Sequence, residues 1–584
     1  MCGIFALLNN HSKNYSNNKL QSIINEQFEK GQKRGPEYSK LDNSYIKMTL
    51  GFHRLAINGL NPESNQPIVF KDIVLICNGE IYNYKQLYNY MNVNPTTDSD
   101  CEVIIHLYLK YGIEQTLVML DGVYAFVLFD NRINDELSSN IYIARDPFGV
   151  RPLYKLYNIN DKNKNETMNF FGFASELKCL EYFYNQNTFL YRIDQFEPGT
   201  FSVFQLSGKV QSTWQPIIHN KPHFIPTFSY GRLTNDISEL KEEIFVNISK
   251  YLNTAVIKRC NTTERPVACL LSGGLDSSLI AALVSNNFAQ FGKQIETYSI
   301  GLENSEDIKY ARIVAEYIGS NHTEIILTEN DMFDAIPEVI KAIESYDTTT
   351  VRASIGNYLI GKYIASHSDA KVIFNGDGSD ELLGGYLYMN KCPDDIEFDK
   401  ETRRLLKDIY LFDVLRSDKS ISSNGLEPRT PFLDRNFVNQ ILSIPPYFRN
   451  HTNFDQPEKY LLRKSFSHLY FEDFNGRQIL PDNILWRKKE AFSDGVSSHS
   501  RSLFVILQEL IAKFYNSNMN YESYTPSIEL EKKYYKEIFD KEFPNCSHIL
   551  PYFWMPKYTI AKDPSARTLE IYESNDNLCI SSTT

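Results

Sequence analysis

Hydrophobic positions in the first part of the chain, to about Leu206, fall into short runs separated by polar turns. Ile73–Cys77, Val123–Phe129 and Ile141–Ile143 each read as strands. Between them, Leu20, Ile23, Ile24 and Phe28 recur at helical spacing, with Gly31 placed as a stop, so an amphipathic helix is predicted there. Together these predict an α+β unit over residues 2–206. Residues 207–240 carry Pro and Asn without a sustained period and read as a linker. From about residue 241 the pattern becomes strand then helix, repeatedly. Strands are predicted at Val267–Leu271, Ile295–Ile300, Thr323–Leu327 and Lys371–Phe374, with helices over Asp276–Phe288 and along Ile308, Ala311, Val314, Ala315 and Ile318. That alternation predicts an α/β parallel sheet over 241–557, which binds ligands beyond the carboxyl ends of its strands. Residues 558–584 read as a polar, frayed tail.

Composition narrows the function classes. A net charge of −12 argues against a surface built for nucleic acid or anionic lipid, and no apolar run approaches the ~20 residues of a membrane-spanning helix. The nine cysteines are odd in number and lack C-x-x-C pairs, so reduced thiols in a cytoplasmic protein are the simplest reading.

Two loops carry phosphate chemistry. Leu271-Ser-Gly-Gly-Leu-Asp-Ser-Ser278 follows a predicted strand and opens a helix. Gly273 and Gly274 permit close backbone approach, Ser272, Ser277 and Ser278 can donate to phosphate oxygens, and the helix N-terminus favours an anion. The loop lacks the Gly-Lys-Ser/Thr ending of a Walker A motif. Asp276 would repel phosphate unless a cation bridged them, which implies Mg²⁺ and a second carboxylate. Asp380, in Phe374-Asn-Gly-Asp-Gly-Ser-Asp-Glu381 after another predicted strand, is the candidate.

Cys2 is the other singular residue. Were Met1 removed, one residue would hold both a thiol nucleophile and an α-amine with a reference pKa of about 7.7–8.0 to act as its base. Its context is Cys2-Gly-Ile-Phe5, Arg34-Gly-Pro36, Arg54-Leu-Ala-Ile57, Asn78-Gly-Glu-Ile-Tyr-Asn83, Ser99-Asp-Cys-Glu102, Leu120-Asp-Gly122 and Ala144-Arg-Asp146. These blocks resemble the class II glutamine amidotransferase domain, an N-terminal-nucleophile hydrolase sandwich. The Ser272–Ser278 loop resembles the pyrophosphate loop of enzymes that cut ATP between its α and β phosphates. Joined in this order, from residue 2 to about 500, the chain resembles the glutamine-dependent asparagine synthetase family.

The resemblance implies glutamine, aspartate and ATP as substrates and Mg²⁺ as cofactor, with no nucleic acid or membrane partner; a homodimer is left open. Cys2 would attack the glutamine amide, with Asn78 and Gly79 as oxyanion hole, Arg54 and Ile57 at the glutamine carboxylate end, and Glu80 and Asp100 on its ammonium. Leu271 and Ile300 would flank adenosine, and Asn375 and Gly376 would join the Ser272–Ser278 loop at ATP. Thr349, Thr350 and Arg352 would bind aspartate, and Lys489 and Asp377 would act at the adenylate, with Asp276 and Asp380 on the metal. Three departures stand out. Asn375-Gly-Asp-Gly378 replaces the usual Ser-Gly-Glu-Gly, and the acid at 377 is shorter by roughly 1.5 Å, a misplacement that could cost about 10²-fold. Glu37 replaces an Asp after Arg34-Gly-Pro36. Pro428 interrupts Leu426-Glu-Pro-Arg-Thr-Pro-Phe-Leu-Asp434. A synthetase adenylating a different carboxylate, such as a β-lactam synthetase, is the alternative; such relatives lack the N-terminal cysteine. Transfer to a sugar phosphate or to phosphoribosyl pyrophosphate would share the first half alone, and a non-catalytic sensor that kept the fold would not need the catalytic positions filled, as all but 377 are here.

Overall fold

The computed structural model describes residues 2–10, 17–132, 138–159, 170–207, 212–225, 237–487, 489, 495–497, 501–518 and 523–569. In chain order the first strands are β1 (Gly3–Leu8), β2 (Tyr38–Asp42), β3 (Met48–Arg54), β4 (Ile68–Phe70), β5 (Ile73–Ile81) and β6 (Gly122–Asp130). They continue as β7 (Ser138–Arg145), β8 (Tyr154–Asn158), β9 (Phe171–Ala174), β10 (Tyr191–Gln195), β11 (Thr200–Ser207) and β12 (Gln215–Pro222). These form two antiparallel sheets, β10-β8-β9-β1-β3-β2 and β12-β11-β7-β6-β5-β4. β1 is apolar at nearly every position because both its faces are covered. Ile4, Ala6 and Leu8 pack between the sheets with Val74, Ile76 and Val127. Phe5 and Leu7, on the opposite face, meet Ile24 and Phe28 of the helix Asn17–Glu29.

The second half is built on β13 (Val267–Leu270), β14 (Glu296–Leu302), β15 (Asn321–Leu327), β16 (Val372–Phe374) and β17 (Glu427–Arg429), all parallel, in the order β15-β14-β13-β16-β17. The strand order reverses between β13 and β16, and the two phosphate-type loops leave the carboxyl ends of these neighbours. A crevice at that reversal is where such sheets place ligands. The fold is therefore an α+β unit followed by an α/β parallel sheet, as the pattern predicts, the first unit being the two-sheet sandwich that the resemblance implies.

Three details differ from the sequence expectations. β12 lies inside the stretch read as a linker, of which residues 208–211 and 226–236 fall outside the described residues. It is an edge strand with Pro at both ends and no fully buried residue, so no apolar alternation announces it. The stretch read as a frayed tail is packed as far as it is described: Leu569 is buried with Tyr388 and Trp554, and Asp563 pairs with Arg352 at 2.7 Å; residues 570–584 lie outside the described residues. Pro428 sits in edge strand β17, where the ladder uses the Glu427 N–H and the Arg429 carbonyl on either side, so its missing N–H leaves no gap. Among the described residues no helix is long and apolar enough to cross a membrane.

Candidate active sites

The first site gathers at one rim of the sandwich. Cys2 precedes β1, and its Sγ donates to the Leu55 carbonyl at 3.6 Å, just beyond the end of β3. Burial pushes its thiol pKa up. Arg34 Nε donates to the Cys2 carbonyl at 3.0 Å. Asn78, on β5, is fully buried; its Nδ2 reaches Ser175 Oγ at 3.4 Å while its Oδ1 has no protein partner. Ser175 Oγ also accepts the Ile4 N–H at 3.1 Å, tying β5 to the strand that follows the thiol. At Gly79 a Cβ would lie 2.5 Å from the Val123 carbonyl, so only glycine lets β5 pair with β6 there.

Charge around this rim suits an amino-acid zwitterion. The Arg54 guanidinium donates to the Asn61 carbonyl at 3.0 Å, to Asn65 Oδ1 at 2.7 Å and to the Asn58 and Gly59 carbonyls, and among the described residues no carboxylate neutralises it. Ile57 is buried in the same loop, its carbonyl held by the Glu264 N–H at 3.0 Å. Glu80 and Asp100 are both buried. Burial first, then each other's neighbourhood of acids, holds Glu80 well above the carboxylate range, and burial raises Asp100 to about 6. Two buried carboxyls side by side favour a bound proton or cation over a second bare negative charge. Asn58 Nδ2 donates to Glu80 at 2.6 Å, and Arg429 of β17 stands 3.4 Å away, the one guanidinium that reaches it from the other half. Glu37 uses its extra length to accept the Ala56 N–H at 2.7 Å and to pair with Arg265 at 2.8 Å.

The second site is a cavity at the β13/β16 reversal. Leu271, Ser272, Gly274, Asp276, Ser277, Ile300, Thr349, Asn375, Gly376, Asp377, Asp380 and Lys489 all line it. The loop after β13 is braced internally. Ser277 Oγ accepts the Ser272 N–H at 3.1 Å, and Ser272 Oγ accepts the Gly274 N–H at 3.3 Å. Gly273 has φ +72°, and a Cβ there would meet the Ala311 nitrogen at 2.5 Å. A Cβ on Gly376 would lie 2.8 Å from the Asp276 backbone, so glycine lets the two loops touch. Ser278 is buried in the helix beneath, its Oγ without a protein partner.

Asp276 and Asp380 face one another across Lys459, whose ammonium lies 2.5 Å from each. Lys489 adds a contact of 2.6 Å to Asp380. Against the desolvation of burial, these two ammonium groups hold Asp380 far below the carboxylate range, and Asp380 with Asp276 holds Lys489 above its usual value. Asp276 and Asp380, hard oxygen donors already gathered around a positive charge, are the residues that would hold a Mg²⁺.

The chain matches the family model described as asparagine synthase over residues 247–397 and 390–554, and the glutamine amidotransferase domain model over residues 1–222. It is 40% identical to the glutamine-hydrolysing asparagine synthetase of Gallus gallus over 592 residues, covering 98% of this chain and 99% of that one. The corresponding protein of Homo sapiens is also 40% identical, over 595 residues, with the same coverage. The chain belongs to the glutamine-hydrolysing asparagine synthetase family.

Within that family's two-site plan, some sequence-predicted residues are not gathered as expected. Arg352 does not line the cavity: its guanidinium is buried against Glu531 at 2.6 Å and Asp563 at 2.7 Å, clamping C-terminal segments onto the helix Thr348–His367. Thr350 is a capping partner, its Oγ1 donating to Asp347 at 2.7 Å, so only Thr349 of that trio faces the cavity. Of the segment around Lys489, residues 488 and 490–494 lie outside the described residues. Sequence reasoning missed Lys459, which looked like one more charge beside Glu458; a left-handed φ of +58° at a helix start is visible only in the fold. It also missed Arg416, which lines the cavity among charged neighbours in sequence, and the role of Arg429, which lies within the Leu426–Asp434 block but reaches Glu80 only in the fold.

Proposed function

We propose that this chain synthesises asparagine from aspartate, ATP and the amide nitrogen of glutamine, releasing glutamate, AMP and pyrophosphate. The observation that carries the reading is that one helix, Asp413–Ser422, serves both sites. Its Asp418 and Ser422 receive Arg34 at 2.8 Å each, and Arg34 holds the Cys2 carbonyl; its Arg416 lines the phosphate-side cavity. A thiol chemistry and a phosphate chemistry that share a structural wall suit a nitrogen handed from one to the other.

At the first site Cys2 Sγ attacks the glutamine side-chain carbonyl carbon, ammonia leaves, and water hydrolyses the resulting thioester to glutamate. Asn78 Nδ2 and the Gly79 N–H stabilise the oxyanion; losing one such donor typically costs about 10²–10³-fold. Arg54 takes the substrate carboxylate, and Glu80 with Asp100 takes its ammonium. At the second site a β-carboxylate oxygen of aspartate bonds to the α-phosphorus of ATP and pyrophosphate departs. Ammonia then forms the amide bond as AMP leaves. Ser272, Ser277 and the backbone of Gly273 and Gly274 cradle the pyrophosphate, Leu271 and Ile300 pack on the adenosine, and Lys459 and Lys489 meet the charge that builds on the leaving group. Asp276 and Asp380 would hold a Mg²⁺, which when bound would supply further charge neutralisation there. Free thiols at the eight described cysteines suit a reducing compartment such as the cytoplasm.

The test is AMP and pyrophosphate formation from Mg-ATP with aspartate and glutamine, with asparagine identified by mass. Stoichiometric AMP and asparagine are expected. AMP formed only with some other carboxylic acid would replace aspartate as substrate, and none with any acid would overturn the reading.

A further inference from the structure

The two departures at 375 and 377 touch one another through a third residue. Asn375 follows β16, and its backbone N–H is fixed by the Arg429 carbonyl at 3.1 Å. Its Nδ2 donates to Ser417 Oγ at 2.7 Å, and its Oδ1 accepts the Asp377 N–H at 3.3 Å. Arg416, next to Ser417 on the helix Asp413–Ser422, donates to Asp377 Oδ1 at 3.2 Å. Burial raises the Asp377 carboxyl above its ordinary value, and the Arg416 guanidinium works against that by favouring the ionised form. Asn375 thus bonds on one side to the Asp377 backbone and on the other to the helix that carries Arg416, which holds the Asp377 carboxylate.

A serine at 375 has a side chain one bond shorter and would not span to Ser417. A glutamate at 377 would carry its carboxylate one bond further into the cavity, past the position where Arg416 now meets it. Exchanging both together nearly conserves volume, whereas either alone leaves a gap or an overlap.

Resting on the proposed synthetase reaction, we propose that Asn375 is a positioning residue for Asp377, and that Asn375 and Asp377 work only as a matched pair: the longer amide sets Ser417 and Arg416 to hold the shorter acid at the cavity. Asp377 faces Arg416 and Asp413, with Asp380, Glu381 and Tyr386 lining the same cavity.

The test is a cycle of four full-length enzymes: unsubstituted, Asn375→Ser, Asp377→Glu and the double variant. Each is assayed for ammonia-driven asparagine formation with Mg-ATP, and glutamine hydrolysis at Cys2 reports that the protein is folded. Each single change is expected to lower kcat by about tenfold to a hundredfold with little effect on the KM for ATP, and the double variant should return to within about threefold of the unsubstituted enzyme. In Asn375→Ser the acid limb of the kcat–pH profile should move upward, since the helix that Asn375 ties down through Ser417 no longer holds Arg416 against the ionised Asp377; a loop that was merely loosened would lower kcat without moving the limb. Ser417→Ala should reproduce the Asn375→Ser effect and add nothing to it. Losses that multiply in the double variant overturn the pairing. So does a change confined to the KM for ATP, which would make Asn375 a nucleotide contact. An unsubstituted enzyme that hydrolyses glutamine but makes no asparagine would overturn the synthetase reading itself, and the pairing with it.

Discussion

Asp100 gives the glutamine site a pH signature. Its carboxylate accepts the Ile81 N–H at 2.6 Å, lies in the same acidic pocket as Glu80, and is raised by burial to about 6. An ammonium group needs the ionised carboxylate, so below that pH binding must first displace a proton. For a pKa of about 6, about nine-tenths of the molecules are ionised at pH 7 and about one-tenth at pH 5. The KM for glutamine should therefore rise about tenfold between those pH values, equivalent to ~1.4 kcal/mol of lost binding. Glu80, raised in the same direction, steepens the rise. Glutamate release measured against glutamine concentration at constant ionic strength gives KM separately from kcat, which also carries the titration of the thiol. Asp100→Asn keeps an acceptor for the Ile81 N–H but removes the charge. Its KM should already be high at pH 7 and change little on acidification. A wild-type KM that is flat from pH 7 to 5, or an Asp100→Asn enzyme with the wild-type profile, would refute the assignment.

Arg352→Met leaves Glu531 and Asp563 without their counter-charge; Glu531 is fully buried, and breaking such a pair costs about 3–5 kcal/mol. The thermal midpoint should fall by several degrees while the KM for aspartate in the folded protein stays near wild type; a large rise in that KM at an unchanged midpoint would return Arg352 to the substrate site. Lys459→Met leaves Asp276 and Asp380 facing each other with only Lys489 between them. The variant should be destabilised in EDTA and regain stability with Mg²⁺, whereas the wild-type midpoint should respond little to Mg²⁺ without nucleotide; equal responses of the two would contradict the view that Lys459 holds the two carboxylates together in the absence of metal.

Local pattern announced the elements whose burial is one-sided or complete. β5, β6 and β13 are apolar runs because both their faces are covered, by helices or by the facing sheet, and the loop after β13 was legible since glycines and hydroxyls at fixed offsets have few other uses. β12 was not legible, because an edge strand with a wet face needs no apolar alternation. The clamp of Arg352 on Glu531 and Asp563 joins residues about two hundred positions apart, and no local spacing encodes such a pair. Lys459 and Arg416 were hidden for the same reason: a single charge in sequence reads as solvated surface until the fold buries it. Asn375 and Asp377 looked like two separate defects and become one feature only when Ser417 arrives from another helix.

If two separable sites share one chain, Cys2→Ala should silence one and spare the other. The variant keeps the backbone that Arg34 holds and removes only the sulfur. Glutamine hydrolysis and glutamine-driven asparagine formation should disappear, while asparagine formation from aspartate, Mg-ATP and ammonium should proceed at close to the wild-type rate. Loss of the ammonia-driven reaction in a folded Cys2→Ala protein, or glutamine-driven synthesis that survives without the thiol, would contradict that separation.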